Sequence, residues 1–455
     1  MRAVNVIDHP YAQHVDALFE CVRDMPDPVW LDSGKPASLQ GKFDIISAAP
    51  HILLETNDDT STLSDHRGST HSREHPLRLA EELVQDMATP AVAGLPFCGG
   101  LLGYFGYALG HRLLALPNAA PNTVGLPTLR LGYYTWALVV NHQTRKSCVV
   151  FHPACTKQLR GDVLARLRVG HSSSGGHFRL KTPFSASISQ HQYAQQIAKI
   201  KAYIEAGDCY QVNFAQHFAA NYEGDPWLAY RQLRTVLPSP FSAFLSWQDK
   251  AILSLSPERF VKLSGRQVET KPIKGTAPRG ISVAEDQANA IALVNSTKDR
   301  AENLMIVDLL RNDLGKSCRS GSIHVPKLFN LESFANVHHL VSTVTGTLAP
   351  GKSALDLLAG CFPGGSITGA PKKRAMEIIA ECEQMQRSIY CGSVGYISAC
   401  GHMDTNIAIR TLAASAGKMH CWGGGGIVTD STAESEYAES INKISLLMNE
   451  LNADR

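Results

Sequence analysis

The chain has 455 residues, with 43 Lys plus Arg against 41 Asp plus Glu. So even a balance gives no global field to attract nucleic acid or an acidic membrane surface, and no apolar run reaches the ~18 residues a membrane span needs. Met1–Pro10 lacks a signal-peptide pattern, and 11 cysteines without a Cys-x-x-Cys pair predict reduced thiols in a cytoplasm, not a disulfide framework or a structural zinc.

Residues 1–170 read as an N-terminal domain. Short β-like runs recur at Asp44–Ser47, His51–Leu54, Leu129–Tyr134 and Ser147–Phe151, with turn residues between them, as in antiparallel sheet. Leu77, Ala80, Val84 and Met87 have the spacing of one helix face. Gly99–Tyr107 alternates glycines with aromatics, which suits closely approaching strands. His171-Ser172-Ser173-Ser174-Gly175-Gly176-His177 is the clearest linker, so the boundary is placed at 171–184 and a second domain at 185–455. Ser189-x-x-Gln192 is a capping box. Behind it Tyr193, Ile197, Ile200 and Ile204 repeat at helical spacing, and Gly207 is the stop.

Glu269–Arg279 carries two prolines around a glycine and predicts a strand entering a rigid turn, with Lys274 at its centre. An arbitrary lysine is solvated; the residues downstream of this one argue for a site. Asn295-Ser296-Thr297 opens a helix running through Leu310, on which Asp299 and Glu302 share a face and Asp308 with Arg311 is a structural pair. Phe362–Lys372 is a glycine loop entering a helix at Pro371, where backbone N–H groups and the Thr368 hydroxyl suit an anion. Gly423–Gly426 leaves room for close approach. A last helix begins at a capping box Ser431-x-x-Glu434, with Glu436, Glu439 and Lys443 on one face. One carboxylate pair is an ordinary surface pattern; two pairs on two helices can hold one Mg²⁺.

Pro272-Ile273-Lys274-Gly275-Thr276 resembles the Pro-Ile-Lys-Gly-Thr motif of component I of the aminodeoxychorismate synthases, within the chorismate-utilising enzyme family. Met305–Gly315 and Asn336–Ser342 are similar to further signatures of that family. The resemblance implies an α/β (α+β) fold of antiparallel β-sheets packed as a sandwich with helices outside. It also implies conversion of chorismate and ammonia to 4-amino-4-deoxychorismate, for 4-aminobenzoate and folate. In the anthranilate-forming relatives the position of Lys274 is usually alanine.

By the same resemblance Lys274 is the nucleophile, and Glu258 and His339 are candidate proton donors. Glu302 and Glu439 are direct Mg²⁺ ligands, while Asp299, one carbon shorter than the glutamate common there, and Glu436 act through water. Gln211, Thr276, Thr368, Tyr390, Arg410, Gly424, Gly425 and Lys443 line the substrate, with Arg410 and Tyr390 on the enolpyruvyl carboxylate and Lys443 toward the ring carboxylate. Water-using relatives carry a lysine base at Gln211; glutamine takes no proton, which favours ammonia as nucleophile. The N-terminal domain implies a tryptophan-pocket remnant at Leu53-Leu54-Glu55-Thr56, with Ser33 and Asp44, though a plain edge strand is the preferred reading. No Gly-x-Cys-x-Gly elbow is present, so ammonia is expected from a separate glutaminase subunit, and without a lyase domain the product stops at the amino-chorismate. The alternatives are an anthranilate synthase component I and a non-catalytic chorismate-binding regulator.

Overall fold

The computed structural model describes residues 3–117, 120–170, 175–334 and 337–452. Two antiparallel sheets, of 13 and 12 strands, carry the architecture. In the first, Asn5–His9, Lys146–Phe151, Trp136–Asn141, Phe43–Ser47 and Val29–Asp32 run on into Phe241–Trp247, Lys250–Ser256, Thr411–Ser415, Lys418–Ile427 and Gln211–Gly224. In the second, Thr60–Asp65, Ile52–Asn57, Leu129–Tyr134 and Gly100–Phe105 run on into Ser393–Ser398, Met403–Asn406, Arg259–Ser264, Gln267–Thr270 and Val337–Thr347.

Strand alternation separates the buried layers. Val29, Ile45, Ala243 and Leu245 point into a core shared with Leu54, Leu101, Leu131 and Val261 of the second sheet. Their chain neighbours Trp30, Ile46 and Phe244 face the opposite way, onto Trp227, Tyr230 and Leu447 of covering helices. This is the expected sandwich with helices outside, produced by a period of two along each strand.

The expected division at 171–184 is corrected by the pairing. Val29 lies opposite Leu245 and Phe105 opposite Ser393, so both sheets are woven from residues on either side of the boundary and share one core. Of the expected linker, residues 171–174 lie outside the described residues, as does Asn336; Phe178–Leu180 is a strand paired with Tyr222–Gly224. Ser189 does form its capping box with Gln192, and the helix ends at Glu205 before Gly207. The C-terminal cap moves by one residue. Ser435 N donates to Thr432 Oγ1, whereas Ser431 Oγ donates to Glu436 Oε1 at 2.6 Å.

A cavity of about 790 Å³ opens beside the shared core, walled in part by Leu31, Asp32, Phe43, Phe241, Tyr396 and Asp404. Leu53–Thr56, Ser33 and Asp44 are absent from that wall among the described residues. Asp44 already accepts from Trp30 Nε1, Ser33 N and Ser33 Oγ, and Thr56 Oγ1 is bonded to Ser61. No helix among the described residues is long and apolar enough to cross a membrane.

Candidate active site

Lys274 lies on Ile273–Pro278, a strand that pairs with Val337–Thr347 except where the register slips between Ile273 and Thr276. The slip re-aims the lysine. Gly275 makes it feasible: its φ is +78°, and a Cβ there would sit 3.0 Å from the Asp299 carboxylate, so both backbone and space demand glycine. Lys274 Nζ donates to Ser366 O at 3.1 Å. Burial drives its pKa down, against the fields of Glu302, Glu258 and Glu439, while Lys443 adds to the depression.

Glu258 follows Pro257 at the turn between two strands, and its main chain is fixed by Ser256 Oγ and Ile407 N. It is 5 % exposed. Its Oε1 accepts from Ser366 Oγ at 2.8 Å. Burial raises its pKa to about 7, even with the Ser366 bond and Lys274 pulling the other way. Ser366 therefore joins acid and amine: its hydroxyl serves Glu258 and its carbonyl serves Lys274. A buried acid raised and a lysine lowered in one site is the arrangement proton transfer needs near neutrality.

His339 is buried on the neighbouring strand, with Nδ1 2.9 Å from Thr276 Oγ1 and Phe334 edge-on at 5.2 Å. Burial, then the Arg410 charge, takes its pKa to about 4. It is a neutral imidazole at pH 7, so of the two proton-donor candidates Glu258 has the suitable acidity. Arg410 sits at φ +49°. Burial lowers its pKa, and among the described residues its guanidinium makes no salt bridge. A half-buried cation without a carboxylate partner is able to receive an anionic group. Tyr390 is buried and stacked on Trp422, 6.1 Å away at 8°.

The glycine strand Lys418–Ile427 pairs with Gln211–Gly224 along its length, but its ladder with Thr411–Ser415 stops at Leu412 opposite Cys421. Each glycine then meets something specific. A Cβ on Gly423 would strike Ser440 O at 2.0 Å, one on Gly425 would come within 2.9 Å of Glu436 Oε2 and 3.3 Å of Glu439 Oε1, and one on Gly426 would meet Gln211 Nε2 at 2.6 Å. Gly424 O accepts from Lys443 Nζ at 3.1 Å. The Gln211 amide is buried, and neither its N nor its O has a partner.

The acidic residues converge from the Thr297–Gly315 and Ala433–Asn452 helices. Burial raises the pKa of Glu302, with Asp299 and Glu439 adding repulsion and Lys274 and Lys298 opposing it. Burial also raises Glu436, whose Oε2 is left unpaired. For Glu439 burial acts upward, but Lys443 at 2.6 Å, with Lys298 and Lys274, outweighs it and the net pKa is lowered. No three His, Cys, Asp or Glu side chains among the described residues stand at ligating distance of a common point; the carboxylate charge is balanced by lysines. The donor chemistry nonetheless fits a hard divalent cation: carboxylate oxygens only, an orphaned buried Oε2, and a strand whose glycine leaves room for two carboxylates.

Some expected parts do other work. Thr368 Oγ1 donates to Gly364 O at 3.0 Å, so its proton closes the turn and is not offered to an anion. The helix after the glycine loop starts at Lys372, whose ammonium turns inward to Asp313 and Cys361 O, each at 2.6 Å. That loop delivers Ser366 instead. Asp308 and Arg311 form the exposed structural pair, 2.9 Å apart. Ser366 and Lys298 were the residues sequence reasoning missed. Ser366 is hidden in a run of turn formers, whereas Lys298 stands four residues before Glu302, a helical pairing visible in the sequence.

With a depressed amine, an elevated acid, an unpaired guanidinium and two converging acidic helix faces in place, the class is defined: residues 28–449 match the chorismate binding enzyme family, and the chain belongs to it. Among its relatives, the aminodeoxychorismate synthase component 1 of Escherichia coli (strain K12) is 44% identical over 438 residues, covering 95% of each chain. The anthranilate synthase component 1 of Pseudomonas aeruginosa is 35% identical over 443 residues, covering 92% of this chain and 89% of that one. In structure, anthranilate synthase component I from Streptococcus pneumoniae superposes with a TM-score of 0.81 at 31% identity, over 90% of this chain and 93% of that one. The menaquinone-specific isochorismate synthase of Escherichia coli, at 16% identity and a TM-score of 0.74 over 99% and 95% of the chains, shares the fold.

Proposed function

We propose that the chain is an aminodeoxychorismate synthase component 1, an amino-group-transferring enzyme that converts chorismate and ammonia to 4-amino-4-deoxychorismate and water. The carrying observation is the Lys274–Ser366–Glu258 arrangement: an amine shifted toward neutrality is bridged by one serine to a carboxyl shifted toward protonation. The Lys274 amine attacks C2 of the ring while Glu258 gives its proton to the departing 4-hydroxyl, which leaves as water. Ammonia then bonds to C4 as the C2–lysine bond breaks, and Glu258 takes up the proton ammonia sheds.

Arg410, with Tyr390 beside it, holds the enolpyruvyl carboxylate, and Gln211 offers its unpaired amide to the incoming nitrogen or the ring substituents. Glu302, Glu439, Asp299 and Glu436 are the residues that would hold Mg²⁺, which when bound would supply positive charge for the ring carboxylate. Lys443 approaches the same carboxylate. Ammonia comes from a separate glutaminase component, in a reaction serving 4-aminobenzoate and folate synthesis in the cytoplasm.

Product identification by mass spectrometry with chorismate, Mg²⁺ and ammonium tests this. The 4-amino product is expected from the wild-type chain, and Lys274→Ala is expected to lose about 10²-fold or more of its formation. Anthranilate as the main product, or an unimpaired Lys274→Ala making the 4-amino compound, overturns the reading. Turnover that persists after chelation of divalent cations removes the metal from it.

A further inference from the structure

The hairpin joining Ser393–Ser398 to Met403–Asn406 lies beside the entry to strand Gly100–Phe105, remote in sequence but continuous in the sheet. Gly100 is paired with Ser398, and Ala399 N donates to Gly99 O at 2.8 Å. The ladder ends there: residues 399 and 400 form the turn of the hairpin, closed by Gly401 N donating to Ser398 O at 2.8 Å, and that turn brings Cys400 back beside Cys98.

Ser398 ties the two together: its Oγ accepts from Cys98 N at 3.0 Å and lies 3.2 Å from Cys400 Sγ. The thiols themselves are hydrogen-bonded, and Cys400 also contacts the His402 imidazole. Cys98 is buried and Cys400 partly exposed. Donation from Cys98, then from His402, holds the Cys400 thiol below the ordinary cysteine range against the effect of burial, whereas that same hydrogen bond and burial push Cys98 up. A partly exposed thiolate beside a buried thiol is the polarity of an attacking and a resolving cysteine.

We propose that Cys98 and Cys400 are a dithiol–disulfide modification site, oxidised by small disulfides of the glutathione class. The Cys400 thiolate attacks one sulfur of the small disulfide, breaking its S–S bond and releasing one thiolate, which takes a proton from the His402 imidazolium. Cys98 then attacks the Cys400 sulfur, and its proton passes to the second departing thiol. Two electrons leave the protein pair and reduce one small disulfide to two thiols. The bond lies beside His402 and the segment Ala91–Pro96, which line the 790 Å³ cavity. Cys98 and His402 reach that segment through the Val92 and Leu95 backbones. Closing the bond removes the Cys98 thiol hydrogen and the thiolate facing His402, so oxidation state is read at the cavity.

The test uses the full chain incubated with glutathione disulfide near pH 7, then denatured for thiol titration and peptide mass analysis. The expected result is loss of two of the 11 thiols and a cross-link between the peptides holding Cys98 and Cys400, reversed by a reductant. Cys98→Ser is expected to stall as a glutathione adduct on Cys400, while Cys148→Ser, altered beside the pair, cross-links like the wild type. An unchanged thiol count, a stable glutathione adduct on wild-type Cys400, or a Cys98–Cys148 bond overturns the proposal, and each is read on the wild-type chain whether or not a variant folds.

Discussion

Replacing Glu258 by glutamine separates what this carboxyl does for catalysis from what it costs the fold. Glu258 is 5 % exposed, and burial lifts its pKa from 4.5 to about 7. A carboxyl whose folded pKa exceeds its unfolded value holds its proton more tightly when folded. The stabilisation is fully present below about 4.5 and is lost as pH rises through about 7. That gap amounts to ~3 kcal/mol, of which ~2–3 kcal/mol is lost between pH 5 and 8. Glutamine cannot ionise but still accepts from Ser366 Oγ, so the variant escapes this loss. Urea unfolding at pH 5 and 8 is therefore expected to show Glu258→Gln gaining ~2–3 kcal/mol on the wild type over that interval. In the same preparations, formation of the amino product falls about 10²–10⁴-fold. The wild-type kcat/KM, which declines about tenfold per pH unit above 7 when a protonated acid is required, loses that limb in the variant. Parallel stability–pH curves for the two proteins would refute the raised acid, and an unaltered limb in the variant would assign it to another group.

Arg410→Lys keeps the charge but loses the planar fork, so KM for chorismate is expected to rise about 10–100-fold with kcat less affected; steady-state kinetics reads this, and an unchanged KM removes Arg410 from substrate binding. Gly425→Ala places a methyl 2.9 Å from Glu436 Oε2 and 3.3 Å from Glu439 Oε1. The Mg²⁺ concentration for half-maximal rate is expected to rise about tenfold or more, and a superimposable Mg²⁺ titration would show that these carboxylates do not hold the ion.

Local signals were legible in the sequence wherever one short stretch determines its own conformation. The Ser189 box, the helical repeat behind it and the alternating strands need only neighbours a few residues away, and each forms as read. The division into domains failed because a glycine- and serine-rich stretch says nothing about whom the flanking strands pair with. Val29 finds Leu245 across the whole boundary. The site's acidic residues stood out through helical spacing. The register slip at Lys274–Gly275 and the role of Ser366 did not, since both arise where strands distant in sequence meet. At the last helix the expected Ser431 box does not form: Thr432 takes the capping role while Ser431 goes to Glu436.

The weaving of early and late strands sets an order on synthesis. Trp30 and its strand emerge from the ribosome more than two hundred residues ahead of the partner at Phe241–Trp247, and Gly100–Phe105 waits still longer for Ser393–Ser398. Until those arrive, the nascent N-terminal sheets have open edges and an uncovered apolar face, and the long loops that must close make the final step slow. A ribosome stalled before residue 393 should therefore hold a chain that chaperones bind, in which early strands fold only when the C-terminal third is complete.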